Sequence, residues 1–326
     1  MKTIAKISIF AIVAFLATFV LSSNEKSGVT TATSVIKKEH YPSVMYHSMN
    51  IDGVNVAYRE AGDPKNPTIV LLHGFPSSSH QYRKVLNQLS DEYHLIAPDY
   101  PGFGNSDFPS QDSYTYTFDN LAKTIDGLLE KLGLTSYALM IQDYGAPVGF
   151  RIATAHPERV TAIINQNGNA YTEGLGDAWA DLRVFWKNRN AETEKALLPV
   201  FSLEGLKWQY THGTRNPETV NPDTWHLDYL RLSRPNAHKV NFDLFYDYQN
   251  NIKQYPKWQQ YLRDHQPPML IVWGKNDLFF PESGAAAYKK DVKNIDYNIY
   301  DTGHFALEEE GEAIIAKIRS FMKRVQ

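Results

Sequence analysis

The chain has 326 residues, 43% hydrophobic and 21% charged, with a formal net charge of -3 and no cysteine. This composition is globular and long enough for one large domain with an insertion, or for two modest domains. The missing cysteine excludes disulfides, thiol nucleophiles and thiolate metal sites, and with no basic run beyond Lys323-Arg324 there is no nucleic-acid footprint.

Residues 1–23 read as a targeting segment. Lys2 and Lys6 precede the apolar run Ile7 to Leu21, which is short for a membrane span and suits a signal-peptide core. Val20 and Ser22 fit the -3 and -1 positions of a cleavage site, and an uncleaved anchor is the alternative. Either way the folded part is expected outside the cytoplasm, periplasmic or secreted, with no membrane span left after cleavage. An absence of cysteine fits an oxidising compartment. Residues 24–42 are polar and aperiodic, which suits a linker.

From Ser43 the pattern becomes regular. Val44–Asn50 and Val54–Glu60 alternate around Asp52-Gly53, a hairpin signal. Thr68–Leu72 is a buried-strand run that ends in His73-Gly74-Phe75-Pro76. A helix fits Gln81–Leu89, a strand Tyr93–Ala97, and a turn Asp99 to Ser106. Thr117 can cap a helix through Leu132. Ser136–Gln142 is a strand, Gly145–Ala155 a helix and Val160–Asn165 the next strand. Strands and helices alternating at this spacing predict a parallel sheet covered on both faces.

The alternation stops over residues 169–266, which hold helical stretches and five of the six tryptophans. This segment reads as a helical cap over an apolar pocket, between core segments 43–168 and 267–326, although most of its aromatics serve the cap's own packing. Pro268–Trp273 is a strand leading to Asp277, Pro281 opens a helix to about Val292, and Ile295–Tyr300 leads to His304. A last helix spans about Glu308 to Arg324.

Asp143 stands between a strand and a helix, with Gly145 two residues on. Alone it reads as an ordinary N-cap, and Ile141, two residues before it, is large for a sharp strand-to-helix turn. Asp277 alone reads as a turn residue and His304 as a helix-edge histidine. Yet all three follow strand ends, which in a parallel sheet share one edge. Their order, carboxylate, acid, histidine, is a nucleophile–acid–base order. The 11 histidines show neither HxxxH nor HxxH spacing, so no dedicated metal site is expected.

Five motifs in order carry a resemblance: HGFP at 73–76, DYPGFGNSD at 99–107, QDYGAP at 142–147, WGKND at 273–277 and TGH at 302–304. From about Ser43 onward the chain resembles the α/β-hydrolase superfamily, in the branch of epoxide hydrolases and haloalkane dehalogenases. The resemblance implies the α/β-hydrolase fold, a mostly parallel sheet with helices on both faces, and no cofactor. It implies that Asp143 attacks an sp3 carbon to form an ester, that His304 activates water, and that Asp277 orients His304. The N–H groups of Phe75 and Tyr144 would hold the oxyanion. His73 would steady the oxyanion loop. Tyr248, with Tyr246 in reserve, is similar in position to a ring-opening acid, although packing is an equal reading. The stretch that would supply a second acid reads Phe185-Trp186. Neither Tyr144 nor Phe75 offers the side-chain N–H with which dehalogenases hold halide, which favours epoxide hydrolysis over dehalogenation. The expected substrate is a small apolar-to-amphipathic organic molecule. A ligand-binding or non-catalytic scaffold is the alternative of another class.

Overall fold

A computed structural model describes residues 43–325. The expected targeting segment (1–23) and linker (24–42) lie outside the described residues.

A hairpin of β1 (Met45–Ile51) and β2 (Val54–Ala61) opens the fold. Asp52 and Gly53 turn it with φ of 50° and 92°, the paired positive values a two-residue hairpin needs. Next come β3 (Thr68–Leu72), α1 (Arg83–Leu89), β4 (His94–Pro98), α2 (Phe118–Lys131), β5 (Tyr137–Gln142), α3 (Gly145–Ala155) and β6 (Val160–Gln166). The chain then leaves the sheet for α4 (Ala180–Lys187), α5 (Ala191–Leu197), α6 (Leu203–Thr211), α7 (Asp223–Leu232) and α8 (Ala237–His265). It returns through β7 (Met269–Gly274), α9 (Glu282–Ala287), β8 (Ile295–Tyr300), α10 (Ala306–Glu309) and α11 (Gly311–Val325).

Among the described residues, eight strands form one sheet in the order β1-β2-β4-β3-β5-β6-β7-β8. Only the β1–β2 and β2–β4 pairings are antiparallel; the remaining neighbours run parallel. The central strands are buried on both faces, which is why they read as unbroken apolar runs. Alternate residues serve opposite cores: Val70, Leu72, Leu139 and Ile141 meet α2, α3 and the helices that follow β6. Ile69, Leu71, Ala138 and Met140 meet α1 and α11. Leu121, Ile125 and Leu128 form the buried stripe of α2, each contributing about 1.5–3 kcal/mol. Thr117 caps that helix, accepting from Asn120 N at 3.2 Å.

Three helix expectations need correction. The helix expected from Gln81 begins at Arg83, because Ser79–Tyr82 form a tighter 3-10 turn. The helix expected over Glu308 to Arg324 is broken at Glu310, where α10 ends and α11 begins. Arg83 grips Glu308 with two bonds of 2.9 and 2.6 Å, tying the short α10 turn to α1. The helix expected from Pro281 to Val292 stops at Ala287, followed by a 3-10 turn.

In the helical segment, Tyr210 of α6 donates to Asp228 of α7 at 2.6 Å, and its ring stacks 3.9 Å from Phe305. Burial pushes the Asp228 carboxyl up to about 7, against the pull of the Tyr210 hydroxyl. A raised carboxyl binds its proton more tightly folded than unfolded, so its contribution falls as pH rises from about 4 to about 7 and is flat above. We expect unfolding free energy in urea to drop across that window by a few kcal/mol. Asp228→Asn should remove the drop; an unchanged slope would show that Asp228 does not cause it.

Candidate active site

Only Asp143 and Tyr144 separate the end of β5 from the start of α3. Asp143 takes φ of 48°, a left-handed conformation that costs an L residue about 1–2 kcal/mol. Glycines make room for the turn. A Cβ on Gly145 would stand 2.0 Å from the Leu72 carbonyl oxygen of β3, and one on Gly74 would stand 2.4 Å from Asp143 Cβ. Ile141 fits because Gly149 faces it one turn into α3, where a Cβ would lie 2.7 Å from Ile141 Cγ2.

Asp143 Oδ1 accepts from the backbone N–H of Phe75 at 2.8 Å and of Tyr144 at 2.6 Å. Oδ2 lies 3.9 Å from His304 Nε2. His304 Nδ1 donates to Asp277 Oδ2 at 2.7 Å. Asp277 Oδ1 accepts from Phe279 N at 2.8 Å and Phe280 N at 3.1 Å, and Oδ2 also accepts from Asn167 Nδ2 at 2.8 Å. The structure thus brings Asp143, His304, Asp277, Phe75 and Tyr144 to one sheet edge.

Burial pushes the Asp143 carboxyl up, against the opposing pull of His304 and the two N–H groups. Burial disfavours charge on His304, but Asp277 beside Nδ1, and then Asp143, outweigh it and hold the imidazole above its ordinary value. A group raised in this way adds stability at low pH and loses it as pH rises through the folded value.

The loop carrying Phe75 is itself pinned. His73 is fully buried and stacks 4.1 Å from Tyr100. Burial lowers it to about 4, so it is neutral. Its Nδ1 donates to Gly74 O at 3.0 Å, and its Nε2 accepts from Tyr100 N at 3.2 Å. Asp99 accepts from Ser79 N at 2.7 Å and Asn105 N at 2.8 Å, which ties the stretch after the first motif to the second.

A cavity of about 290 Å³ adjoins the carboxylate. Phe75, Trp179, Phe245 and Phe279 line it, with Gln209 of α6 as a buried polar group. The indoles near it are committed: Trp179 Nε1 donates to Phe279 O at 2.6 Å and Trp186 Nε1 to Phe245 O at 2.7 Å. The Tyr248 ring also lines the cavity, while its hydroxyl is buried with no hydrogen-bond partner among the described residues. Tyr246 is not brought to the site: it is 37% exposed and packs on Phe185. Four amide residues received no role in the sequence reading. Asn167 steadies Asp277; Gln142 and Gln81 lie behind the carboxylate; Gln209 of α6 lines the same cavity and gives its amide to Val200 O at 3.1 Å. Asn167 alone carried a signal, standing just after a strand end.

Away from the cavity, Asp126, Glu130 and His156 place ligand atoms within 4.8 Å of one another. The Arg159 guanidinium bonds both carboxylates, at 3.5 and 3.2 Å, and supplies the positive charge a cation would bring.

A family model described as alpha/beta hydrolase fold matches residues 67–311. An uncharacterized hydrolase from Saccharomyces cerevisiae is 45% identical over 84% of this chain and 96% of its own. A protein named epoxide hydrolase 3 from Xenopus tropicalis is 34% identical over 85% of this chain and 77% of its own. Among solved structures, a haloalkane dehalogenase from Agrobacterium tumefaciens superposes with a TM-score of 0.72, covering 87% of this chain and 97% of that one, at 20% identity.

Gly145→Ala should cost more than about 3 kcal/mol in thermal or urea unfolding, because the added methyl meets a backbone carbonyl rather than a movable side chain. A neutral or stabilising effect would show that α3 does not press on β3.

Proposed function

The chain belongs to the alpha/beta hydrolase family, and from that premise we propose that it is an epoxide hydrolase working through an alkyl ester on Asp143. One observation carries the reading: Asp143 Oδ1 is held by two backbone N–H groups, while Oδ2 is left to face the cavity and His304. Oδ2 attacks a ring carbon, the carbon–oxygen bond breaks, and the ring oxygen takes a proton from Tyr248. Burial raises the Tyr248 hydroxyl well above its ordinary value, which keeps that proton in place until it is needed.

His304 Nε2 then takes a proton from water as the water oxygen attacks the ester carbonyl carbon. The oxyanion forms on Oδ1, where Phe75 N and Tyr144 N already point. Asp277 stabilises the imidazolium. Collapse expels the diol oxygen, which takes the proton from His304. The proton left on the Asp143 carboxyl returns to Tyr248 through solvent, and the sum is epoxide plus water to diol.

Halide displacement is the second reading. The committed indoles tell against it: Trp179, which lines the cavity, and its neighbour Trp186 both give their N–H to backbone carbonyls. The segment of residues 169–266 acts as the cap that bounds the substrate. Export of the chain rests on its first 23 residues alone and is a proposal that N-terminal sequencing of the mature protein would test.

His304→Gln should form the ester without hydrolysing it. Intact-protein mass spectrometry after incubation with epoxides should show an adduct of the whole epoxide mass on Asp143. An adduct from haloalkanes alone, with halide lost, would replace the epoxide reading. No adduct from either panel would favour a binding role. Tyr248→Phe should slow epoxide opening about 10²-fold or more, read as single-turnover ester formation; an unchanged rate would remove Tyr248 from the reaction.

A further inference from the structure

Gln142, the residue before Asp143, is fully buried. Its Nε2 lies 2.8 Å from His304 Nε2, the ring nitrogen that faces Asp143. Its Oε1 accepts from Gln81 Nε2 at 3.4 Å, and Gln81 Oε1 accepts from the backbone N–H of Gly74 at 3.3 Å. Gly74 also supplies the space, since a Cβ there would stand 2.2 Å from Gln142 Oε1.

A backbone N–H can only donate. Gly74 therefore fixes the sense of every bond after it: Gly74 N–H to Gln81, Gln81 N–H to Gln142, Gln142 N–H to His304 Nε2. At the far end the Asp277 carboxylate accepts from Nδ1. A ring nitrogen that accepts carries no proton, so both ends demand the same tautomer, with the proton on Nδ1 and a lone pair on Nε2. An imidazolium would need Gln142 to turn its amide over. That would set two NH2 groups against each other at Gln81, and turning Gln81 as well would set two donors together at Gly74.

We propose that Gln81 and Gln142 are positioning residues, a one-way amide chain anchored at Gly74 that holds His304 as a neutral imidazole with its Nε2 lone pair aimed at the site. The proposal rests on His304 being the base. The charged groups facing His304 act the other way. Asp277, from the loop after β7, and Asp143, from the turn after β5, both favour the imidazolium. The other faces are the uncharged rings of Phe279, Phe280 and Phe305. Gln142 supplies the counterweight, keeping the base unprotonated between turnovers. Water reaches the ester by replacing the Gln142 N–H as the donor to Nε2.

The test is histidine 15N NMR on the full chain across pH, with His304→Gln identifying the resonance. Wild type should show the Nδ1–H tautomer. The titration midpoint should rise in Gln142→Met, which keeps the length and removes the donor. It should rise further in Gln142→Glu, whose carboxylate accepts from Nε2–H, and partway in Gln81→Met, which frees Gln142 to turn over. Ester hydrolysis at neutral pH should slow about tenfold in Gln142→Met while ester formation holds its rate. An Nε2–H tautomer in wild type, or an unmoved midpoint in both Gln142 variants, overturns the proposal whatever the substrate. Expected spectra together with wild-type ester hydrolysis by His304→Gln would overturn the base reading and leave the tautomer assignment supported.

Discussion

The turn at Asp143 is the constraint on which the site depends. A carboxylate leaves a buried strand, and the chain enters a helix two residues later. The left-handed backbone at Asp143 is held by close approach on two sides, β3 beneath Gly145 and the Phe75 loop beside Gly74. The same crowding orients the side chain, because the loop that presses on Asp143 also sends Phe75 N to its Oδ1. Sheet order does the rest. β3 pairs with β5, and β7 with β8, so four loops open on one edge.

The two buried carboxylates are treated differently, and the difference fits the parts proposed for them. Asp277 accepts from Phe279, Phe280, Asn167 and His304, which fills both of its oxygens. Such a group is spent on orientation. Among the described residues, Asp143 has both of its bonds on Oδ1, and the polar contact of Oδ2 is His304 at 3.9 Å. Oδ2 is therefore the oxygen presented to the cavity, where an electrophile would meet it.

The core was legible because its signals are local. Thr68–Leu72, Gly145–Ala155 and Ile295–Tyr300 agree with the sequence reading at both ends. Each is an apolar or amphipathic run bounded by glycine, proline or a polar break. The start of α1 and the break before α11 were not legible, because they depend on a 3-10 turn and on the Arg83–Glu308 pair, whose partners lie 225 residues apart. The same distinction holds at the site. Asp143, Asp277 and His304 announce themselves by residue type after a strand. Gln142 and Gln81 do not, since an amide becomes meaningful only through its partner, and Gln142 meets His304 across 162 residues. Tyr246 and Tyr248 show the limit from the other side. Both lie on α8, two residues apart, and helical geometry sends one to the cavity and the other to the surface.

Asn167 has a consequence of its own. It stands just past β6 with φ of 46°, and its amide binds the backbone of Gly274 at both atoms while reaching Asp277 Oδ2. The loops after β6 and after β7 therefore converge on the one oxygen that meets the imidazole. Two side chains thus meet at that oxygen from neighbouring loops, one the carboxylate that carries it and the other its neutral isostere. Exchanging the two would preserve charge and nearly preserve shape while leaving the histidine loop as it stands.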